Sequence, residues 1–319
     1  MIKGLAITPP VIGRISIGKL VEKNGKWLPE KDDSFTLTTQ VQGREGWHLH
    51  PLHQVYLNAA PNQGKLRALP IRLLFNSSDL NLRAEFSAFD RSNGRPVCVG
   101  DGETAKRVSS EGLQDLPCPT PEHCQFAKVM GCKLYGRLNV LVEGQQDELG
   151  SFIFRTTGYN SVRTLAARLR YFEAVSGGHT RYLPLMLRLR AKSTTQSHRA
   201  PVYYVDLTLR EGETLMEAVC FARDLATRER EAGVETEQLE LAARQLLLNG
   251  RFEDSAEEIP QVLEEFYPEQ EESTGAATAA AATAATSAPS SPGKAHTAVR
   301  AAALSNRLGK AANQNAAQS

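Results

Sequence analysis

Residues 117–132 read PCPTPEHCQFAKVMGC, and this stretch places Cys118, Cys124 and Cys132 close together. With Cys98 upstream, the four cysteines have the spacing C-x19-C-x5-C-x7-C. Four thiolates can complete a tetrahedral zinc site, because Zn²⁺ accepts soft sulfur ligands and has no d-electron preference for another geometry. We therefore expect a structural zinc ion held by Cys98, Cys118, Cys124 and Cys132.

The residues around these cysteines favour a metal as the element that orders them. The segment 100–131 has too few apolar residues for a core of its own, and Pro119 and Pro121 set turns around the thiols. His123, beside Cys124, could replace one thiolate. The same ligands could hold an iron–sulfur cluster. The alternative without a metal is a group of reduced, partly buried cysteines; an odd count of five disfavours disulfides.

The composition is that of a folded chain with a core. It has 319 residues, of which 41% are hydrophobic, and a formal net charge of +1, which gives no global attraction to nucleic acid. No apolar run approaches the ~20 residues of a membrane-spanning helix. The first residues lack the apolar stretch of a secretory signal, so a cytoplasmic protein is expected. Cys220 has the position of an inner helix face and is expected in the core.

Alternating apolar and polar residues predict an α+β fold with antiparallel sheets and C-terminal helices. The predicted strands are 11–18, 34–39, 69–75, 82–89, 96–99, 134–142, 150–156, 182–191 and 202–209. Asn24 and Gly25 predict a hairpin turn between the first two strands. A helix capped by Asn160 or Ser161 ends at Gly177. Two further helices are predicted at 215–231 and 236–248.

The same pattern divides the chain into five regions. They are an N-terminal β-rich region 1–100, a Cys-rich metal-binding insertion 100–133, an α+β core region 134–250, an acidic segment 251–273 and a tail 274–319. The insertion begins with a polar arm, 100–114. The tail is mostly Ala, Thr, Ser and Pro, so it buries too little apolar surface to offset its chain entropy and is predicted to be disordered.

Three histidines offer a second possible metal site. His48, His50 and His53 fall within six residues, and a His-x-His pair on a strand would point two imidazoles to one face. With nearby acids they could serve a metal-dependent enzyme that acts on nucleic acid. We favour a polar loop, because Pro51 interrupts any regular element. The chain has no nucleophile elbow, paired-carboxylate motif or His-Glu-x-x-His motif, and no small-molecule substrate is indicated.

Positive charge is concentrated between residues 155 and 199. Nine basic residues stand there against one acid, Glu173, a local balance of +8: Arg155, Arg163, Arg168, Arg170, Arg181, Arg188, Arg190, Lys192 and Arg199. Tyrosines lie among them, which is typical of a surface that binds phosphates and stacks on bases. We predict a nucleic-acid interface that comprises the first eight. The alternative is a solvated surface paired with the nine acids of 253–272, which would also mask DNA binding.

Several short stretches of the sequence form a set of motifs. They are VIGRISIG at 11–18, SFTLT at 34–38, the pairs Cys118-Pro119 and His123-Cys124, GCK and GRLNV between 131 and 140, and TTGYNSV at 156–162. Together they resemble phage recombination directionality factors, which act on large serine integrases. The resemblance spans roughly residues 8–210, and residues 44–63 and those after Glu211 have no counterpart in it.

The resemblance implies a protein of a mobile element, a phage or an integrative element, that is not an enzyme. Such factors bind an integrase on DNA and switch it from integration to excision. The expected partner is therefore a recombinase, with direct DNA contact left open. A structural or interaction module whose zinc only holds a loop remains the alternative from another class.

Overall fold

The fold is built on one mixed β-sheet, whose strands come from both the N-terminal and the central parts of the chain. The computed structural model describes residues 10–23, 26–43, 46–60, 64–90, 92–93, 95–193, 195, 199–247, 262–263 and 266. Twelve strands lie in these ranges: β1 Val11–Lys23, β2 Lys26–Gly43, β3 Gly46–Leu49, β4 Ala68–Leu73, β5 Leu82–Phe89, β6 Pro96–Gly100, β7 Thr104–Ser109, β8 Gly112–Pro117, β9 Lys133–Val142, β10 Ser151–Thr156, β11 Leu185–Ser193 and β12 Pro201–Leu209.

Helices connect and cover these strands. The described ranges contain α1 Pro51–Ala59, α2 Ser78–Asn81, α3 Thr120–His123, α4 Gln125–Met130, α5 Tyr159–Ser176, α6 Leu215–Glu231, α7 Thr236–Leu247 and a 3₁₀ turn, Thr180–Tyr182. None of the described helices is long and apolar enough to cross a membrane.

The sheet forks at β9, because the two halves of this strand have different neighbours along one edge. Along its other edge β9 pairs with β10, which in turn pairs in parallel with β1. At the forked edge the half from Lys133 to Leu138 pairs with β5, whereas Val140 to Val142 pair with β4. The first half leads to β5-β6-β7-β8, which we call the cysteine branch together with α3 and α4. The second leads to β4-β11-β12, which we call the basic branch.

Asn81 hydrogen-bonds backbone groups at the fork, where β4 and β5 diverge. It is 2% exposed and lies in α2, which joins β4 to β5. Its side-chain oxygen accepts hydrogen bonds from the backbone N–H groups of Leu74 at 3.2 Å and Phe75 at 3.1 Å. Its amide nitrogen donates to the carbonyl oxygens of Phe75 and Ser77. The side chain thus satisfies backbone groups that leave the ladder where the two strands diverge.

The main core lies on the face of the sheet that α5 covers. It joins side chains of β9 and β10, such as Leu138 and Phe154, to Leu165 and Leu169 of α5. The helix packs directly on β9, since a Cβ added to Gly136 would lie 2.8 Å from a Val162 methyl carbon. Helix α6 also contributes small side chains to this core. Its buried residues are Ala218, Ala222 and Ala226.

The predicted α+β class is confirmed, with a mixed and mostly antiparallel sheet. Two local predictions are wrong. Helix α5 is capped by Gly158 without a side-chain bond, because Ser161 instead accepts from the Val205 N–H at 3.1 Å and Asn160 accepts from Lys192. Cys220 is exposed, since the inward stripe of α6 follows its alanines.

Some predictions fall on residues that the structure does not describe. The turn residues Asn24 and Gly25 are among them, although the flanking strands pair up to Lys23 and Lys26. The tail 274–319 also lies outside the described residues, as does the acidic segment apart from 262–263 and 266. The predicted polar arm 100–114 contains β7 and the first half of β8, which extend the sheet.

Candidate metal centre and arginine surfaces

The four cysteines of the predicted zinc site all lie in or beside the cysteine branch. Cys98 lies in β6, and Cys118 directly follows β8. Cys124 stands between α3 and α4, and Cys132 precedes β9. The hairpin β7–β8 and the two short helices return the chain to one small cluster. Its buried members and the apolar residues packed on them are Ala88, Val97, Cys98, Ala105, Cys118, Phe126, Met130 and Cys132.

Backbone contacts position the thiols in this cluster. The Cys118 N–H donates to the Glu103 carbonyl at 2.8 Å. A Cβ added to Gly100 would lie 2.8 Å from the Cys118 sulfur, so that sulfur lies against the backbone of β6. The Cys132 N–H donates to the Ala127 carbonyl at 3.2 Å, which ties it to the last turn of α4.

Arg107 links Cys124 to the other thiols. It stands opposite Cys98 across β6 and β7, and its guanidinium bonds the Cys98 sulfur. It also donates to the Cys124 Sγ at 3.8 Å, while its guanidinium carbon lies 4.0 Å from the centre of the Phe126 ring. A cation in this position favours negative charge on the sulfurs around it.

Within the described residues, no group of three or more His, Cys, Asp or Glu side chains is arranged to hold a metal ion. The four thiols nevertheless interact: burial, followed by the charges of Cys98, Cys118 and Cys124, raises the pKa of the Cys132 thiol to about 12. That thiol is therefore protonated at neutral pH. The donor set suits zinc in kind and number, whereas the sulfurs would have to approach one another to coordinate it.

The alternative fourth ligand, His123, differs from Cys98 in burial. It is exposed at the end of α3, whereas Cys98 is 7% exposed and packed with Ala88 and Ala105. The structure thus brings Cys98 to the other thiols.

The three other candidate metal ligands occupy a strand and a helix start rather than a loop. His48 lies in β3. His50 caps α1, its Nδ1 accepting the backbone N–H two residues on at 3.2 Å, and Pro51 is the first helical residue. His53 is buried, and its Nδ1 accepts the Leu37 N–H at 3.4 Å. Burial lowers the pKa of both His50 and His53, so the neutral, accepting form is favoured.

A basic groove lies between α5 and the basic branch. It encloses about 400 Å³ and is lined by Asn160, Arg163, Thr164, Ala167, Arg168, Tyr171, Lys192 and Tyr204. Lys192 donates to Asn160 at 2.6 Å and lies 6.0 Å from the centre of the Tyr204 ring. Arg163 is exposed and forms no ion pair within the described part of the chain. The groove combines positive charge with two tyrosines, the exposed Tyr171 and the partly buried Tyr204, a composition typical of surfaces that bind single-stranded nucleic acid.

Asp206 holds two of the basic side chains beside this groove. It is 2% exposed, and it accepts from Arg168 Nε at 3.0 Å and from Arg190 Nε at 2.6 Å. Burial raises the pKa of Asp206, but the two arginines outweigh burial and hold that pKa below its ordinary value. The sequence window missed Asp206 because it stands beyond the window and meets these arginines only through the pairing of β11 with β12.

Other predicted phosphate contacts are also paired with nearby acids. The pairs are Arg188 with Glu211 at 2.7 Å, Arg181 with Glu229 at 3.9 Å and Arg170 with Asp79 at 4.0 Å. Arg181 also donates to the Leu74 carbonyl at 2.7 Å, so it has a structural role near the fork. The acids in these pairs come from outside residues 253–272, so the window's charge is offset locally.

Arg155 belongs to a different surface, on the sheet face opposite the main core. In the strand register, Arg155 stands opposite Arg137, and Arg137 stands opposite Arg83. Three arginines therefore lie side by side on β10, β9 and β5. Arg14 of β1 stands opposite Ile153, two residues before Arg155, and therefore shares that face. We call these four residues the arginine row. Each is between 6% and 8% exposed.

The arginine row has partners on its own face. The guanidinium carbon of Arg14 lies 4.3 Å from the centre of the Trp47 ring. Arg137 donates to Glu85 at 2.7 Å. Burial, with the charge of Arg137 added, lowers the pKa of Arg83 to about 10. The lowered pKa thus reflects burial of the guanidinium first and the neighbouring positive charge second, while Glu85 acts in the opposite direction.

The described residues of the acidic segment lie on the same face. Val262 is 1% exposed and packs with Phe89 and Tyr135, and Leu263 and Phe266 adjoin them. The rings of Tyr135 and Phe266 have centres 6.0 Å apart.

A protein-family model described as Gp3-like, recombination directionality factor-like, matches residues 12–210. The match covers more than half of the chain and includes the cysteine cluster, the basic groove and the arginine row. No curated protein and no solved structure matches the chain.

Proposed function

Since the chain belongs to the recombination directionality factor-like family, we propose that it is an accessory protein of site-specific recombination that acts by binding a recombinase. The observation that carries this proposal is the match over residues 12–210, which build both branches of the sheet. Such a protein need not perform chemistry. A ligand that binds one state of a recombinase more tightly than another shifts the population toward that state.

We place the recombinase contact on the cysteine branch. Strand β8 ends the order of strands on this side of the sheet, and an edge strand offers unpaired backbone groups to a partner. Val108 and Leu113 stand opposite each other on β7 and β8 and are 48% and 51% exposed. Exposed apolar residues also lie on α6, such as Met216, but they fall outside the residues that match the family.

A structural zinc ion would hold this contact surface in place. Cys98, Cys118, Cys124 and Cys132 would supply four thiolates, and the complex would carry a charge of about −2. Arg107, already bonded to Cys98 and Cys124, is placed to offset that charge. The ion would take no part in the chemistry of recombination. It would fix β7, β8 and the two short helices relative to one another.

The basic groove would provide a direct contact with DNA. Arg163 and Lys192 would contact phosphates, and Tyr171 and Tyr204, which line the groove, would stack on bases. Of the other predicted contacts, Arg168 and Arg190 share Asp206 and would contribute a smaller net charge. The groove would help to hold the accessory protein beside its recombinase on the DNA.

A recombination assay with the serine integrase of the same mobile element tests this proposal. Added protein should raise the yield of excision product and lower that of integration, and the integrase should co-purify with it. Leu113→Asp should abolish both effects, whereas Met216→Asp, a change at an even more exposed apolar residue outside the family match, should preserve them. An integrase whose product ratio and co-purification are unchanged by the wild-type protein would refute the recombinase role.

A further inference from the structure

A second cavity lies beside the basic groove, on the strands of the basic branch. It has a volume of about 650 Å³ and is lined by residues of α1, of the segment before β4, and of β4, β11 and β12. Among the described residues, four basic side chains line it, Lys65, Arg67, Arg188 and Arg190, against one acid, Glu211. The cavity therefore draws positive charge from outside the basic window of the sequence.

The pairing of β4 with β11 leaves the space that this cavity occupies. Ala68 stands opposite Arg188, and Pro70 stands opposite Met186. Residues directly opposite each other in an antiparallel pair extend to the same face of the sheet. Two short side chains of β4 therefore lie beside two long side chains of β11, and the cavity is part of the sheet's own construction.

Tyr204 joins the second cavity to the basic groove, because it lines both. It stands opposite Arg190, which lines the second cavity. Lys192 is two residues further along β11, so it shares the face of Arg190. It lines the groove and lies 6.0 Å from the centre of the Tyr204 ring. The two cavities thus meet at one aromatic side chain that has a cation of each cavity next to it.

The acids around the two cavities neutralise only part of this charge. The groove adds Arg163, Arg168 and Lys192 to the four cations of the second cavity, which makes seven basic side chains. Within the described residues, the carboxylates that pair with them are Asp32, Asp33, Asp206 and Glu211. Asp33 and Asp206 are 7% and 2% exposed, and each is shared by two cations. Three positive charges are therefore left over on the joint surface.

A single strand of nucleic acid matches this surface, because its phosphates are negative and its unpaired bases are free to stack on aromatic rings. We propose that the second cavity and the basic groove form one continuous binding site for single-stranded DNA, with phosphates held by the cations of both cavities and a base stacked on Tyr204. This inference rests on the DNA contact proposed above for the groove and adds the second cavity to it.

Glu211 limits binding at this site. Its side chain is 78% exposed and lies 2.7 Å from Arg188, so a phosphate has to compete with it for that guanidinium. Exposed ion pairs of this kind are weak, and a phosphate can displace the carboxylate. Removing the charge of Glu211 should therefore strengthen the binding of DNA.

Glu211→Gln provides the sharpest test, because a gain in affinity cannot come from a folding defect. Full-length wild type and variant are titrated with a labelled single-stranded oligonucleotide at low salt, and anisotropy measures the affinity. We expect the variant to bind about fivefold more tightly, the upper end of what an exposed ion pair is worth. Glu213→Gln removes the same charge from an exposed residue outside the cavity lining and should leave the affinity unchanged.

Two further variants test the same site by loss of binding. Arg188→Gln should reduce the slope of log affinity against log salt by about 0.7, the value for one phosphate contact on a single strand. Tyr204→Leu keeps an apolar side chain at the junction and should weaken binding by about tenfold, because the stacked base loses its ring.

The outcomes separate this inference from the proposed groove contact. Equal affinities of Glu211→Gln and Glu213→Gln, with Arg163→Ala still weakening binding, would overturn the role of the second cavity and leave the groove contact standing. Wild-type protein that binds no DNA at low salt would overturn both. Equally tight binding of a duplex of the same length, or of an acidic peptide of the same charge, would overturn the assignment to single-stranded DNA.

Discussion

The two branches that leave β9 are built from strands of similar number but are held together by different means. The basic branch places long aliphatic side chains in the main core, including Ile71, Leu187 and Leu207, all fully buried. In the cysteine branch, the buried residues of the small cluster around the cysteines are Ala88, Cys98 and Ala105. A cluster with so little buried apolar area gains little from the hydrophobic effect, and the proposed zinc ion would add stability there.

The branches also differ in how they use charge. In the basic branch, Arg168 and Arg190 converge on one buried carboxylate, Asp206. In the cysteine branch, Arg107 lies among sulfurs that would become negative on binding a metal. The first arrangement is complete within the described residues. The second would be completed by the thiolates of the proposed zinc site.

Removal of the proposed zinc ion should produce the largest difference between the two branches. We expect one zinc per chain by elemental analysis of protein prepared without chelators. Chelation should abolish amide-exchange protection in β6, β7 and β8 while protection in β11 and β12 persists, since a structural zinc ion contributes its binding energy to folding. Cys118→Ser and Cys124→Ser should have the same effect.

Two variants serve as controls for the zinc prediction. Cys220→Ser, at an exposed cysteine on α6, should retain both the metal and the protection. His123→Ala should also retain them if Cys98 is the fourth ligand. Full protection of the cysteine branch in metal-free protein would contradict the difference between the branches.

Truncation of the aliphatic core should have the next largest effect. Leu187→Ala removes a fully buried side chain from the centre of the basic branch, which should lower the free energy of unfolding by about 2–5 kcal/mol. Leu113→Ala, at a half-exposed leucine of the cysteine branch, should change it by less than about 0.5 kcal/mol. Urea denaturation measures both, and equal losses would show that burial does not distinguish the branches.

Loss of the shared carboxylate should have an intermediate effect. Asp206→Asn leaves Arg168 and Arg190 without their anion and should lower stability by about 1–2 kcal/mol, since both arginines are partly exposed and screened. The folded-state pKa of Asp206 lies below its ordinary value. Its stabilisation is therefore present above that ordinary value and is lost as pH falls through the folded-state pKa.

The variant should accordingly lose less stability than wild type on acidification through that range. Thermal denaturation of both proteins across acid pH measures the difference. Parallel curves would mean that Asp206 is not the group that titrates.

The smallest effect on folding should come from the surface of the groove. Arg163→Ala should leave stability within about 0.5 kcal/mol but reduce the slope of log affinity for duplex DNA against log salt by about 0.9. Arg170→Ala, on the same helix but outside the groove lining, is the matched control and should leave the slope unchanged. Equal slopes for all three proteins would remove Arg163 as a phosphate contact.

Much of the local structure could be predicted from the sequence. The strands 82–89 and 134–142 and the helix 215–231 follow from side-chain periodicity alone, and their observed bounds agree closely. The C-terminal end of α5 at Gly177 follows from the left-handed backbone that glycine accepts there, with φ 66°. These features depend on neighbours within a few residues along the chain.

The candidate sites were harder to predict because they depend on strand order. Grouping arginines by a sequence window combined Arg155 with Arg163, although they lie on different surfaces. The signal for the row was present in each strand, where Arg14 and Arg137 alternate with apolar residues. Only the register of β1, β10, β9 and β5 shows that these alternations fall on one face, with Arg155, Arg137 and Arg83 side by side and Arg14 opposite Ile153.

The sequence by itself determined the periodic elements, the four clustered cysteines and the family pattern, because each depends on residue type and spacing. Tertiary structure alone decided that β9 has two partners along one edge, that Asp206 receives two arginines and that Val262 lies on Tyr135. Those contacts join residues far apart in the chain, and the free energy that selects them comes from burial and charge pairing, which no local pattern encodes.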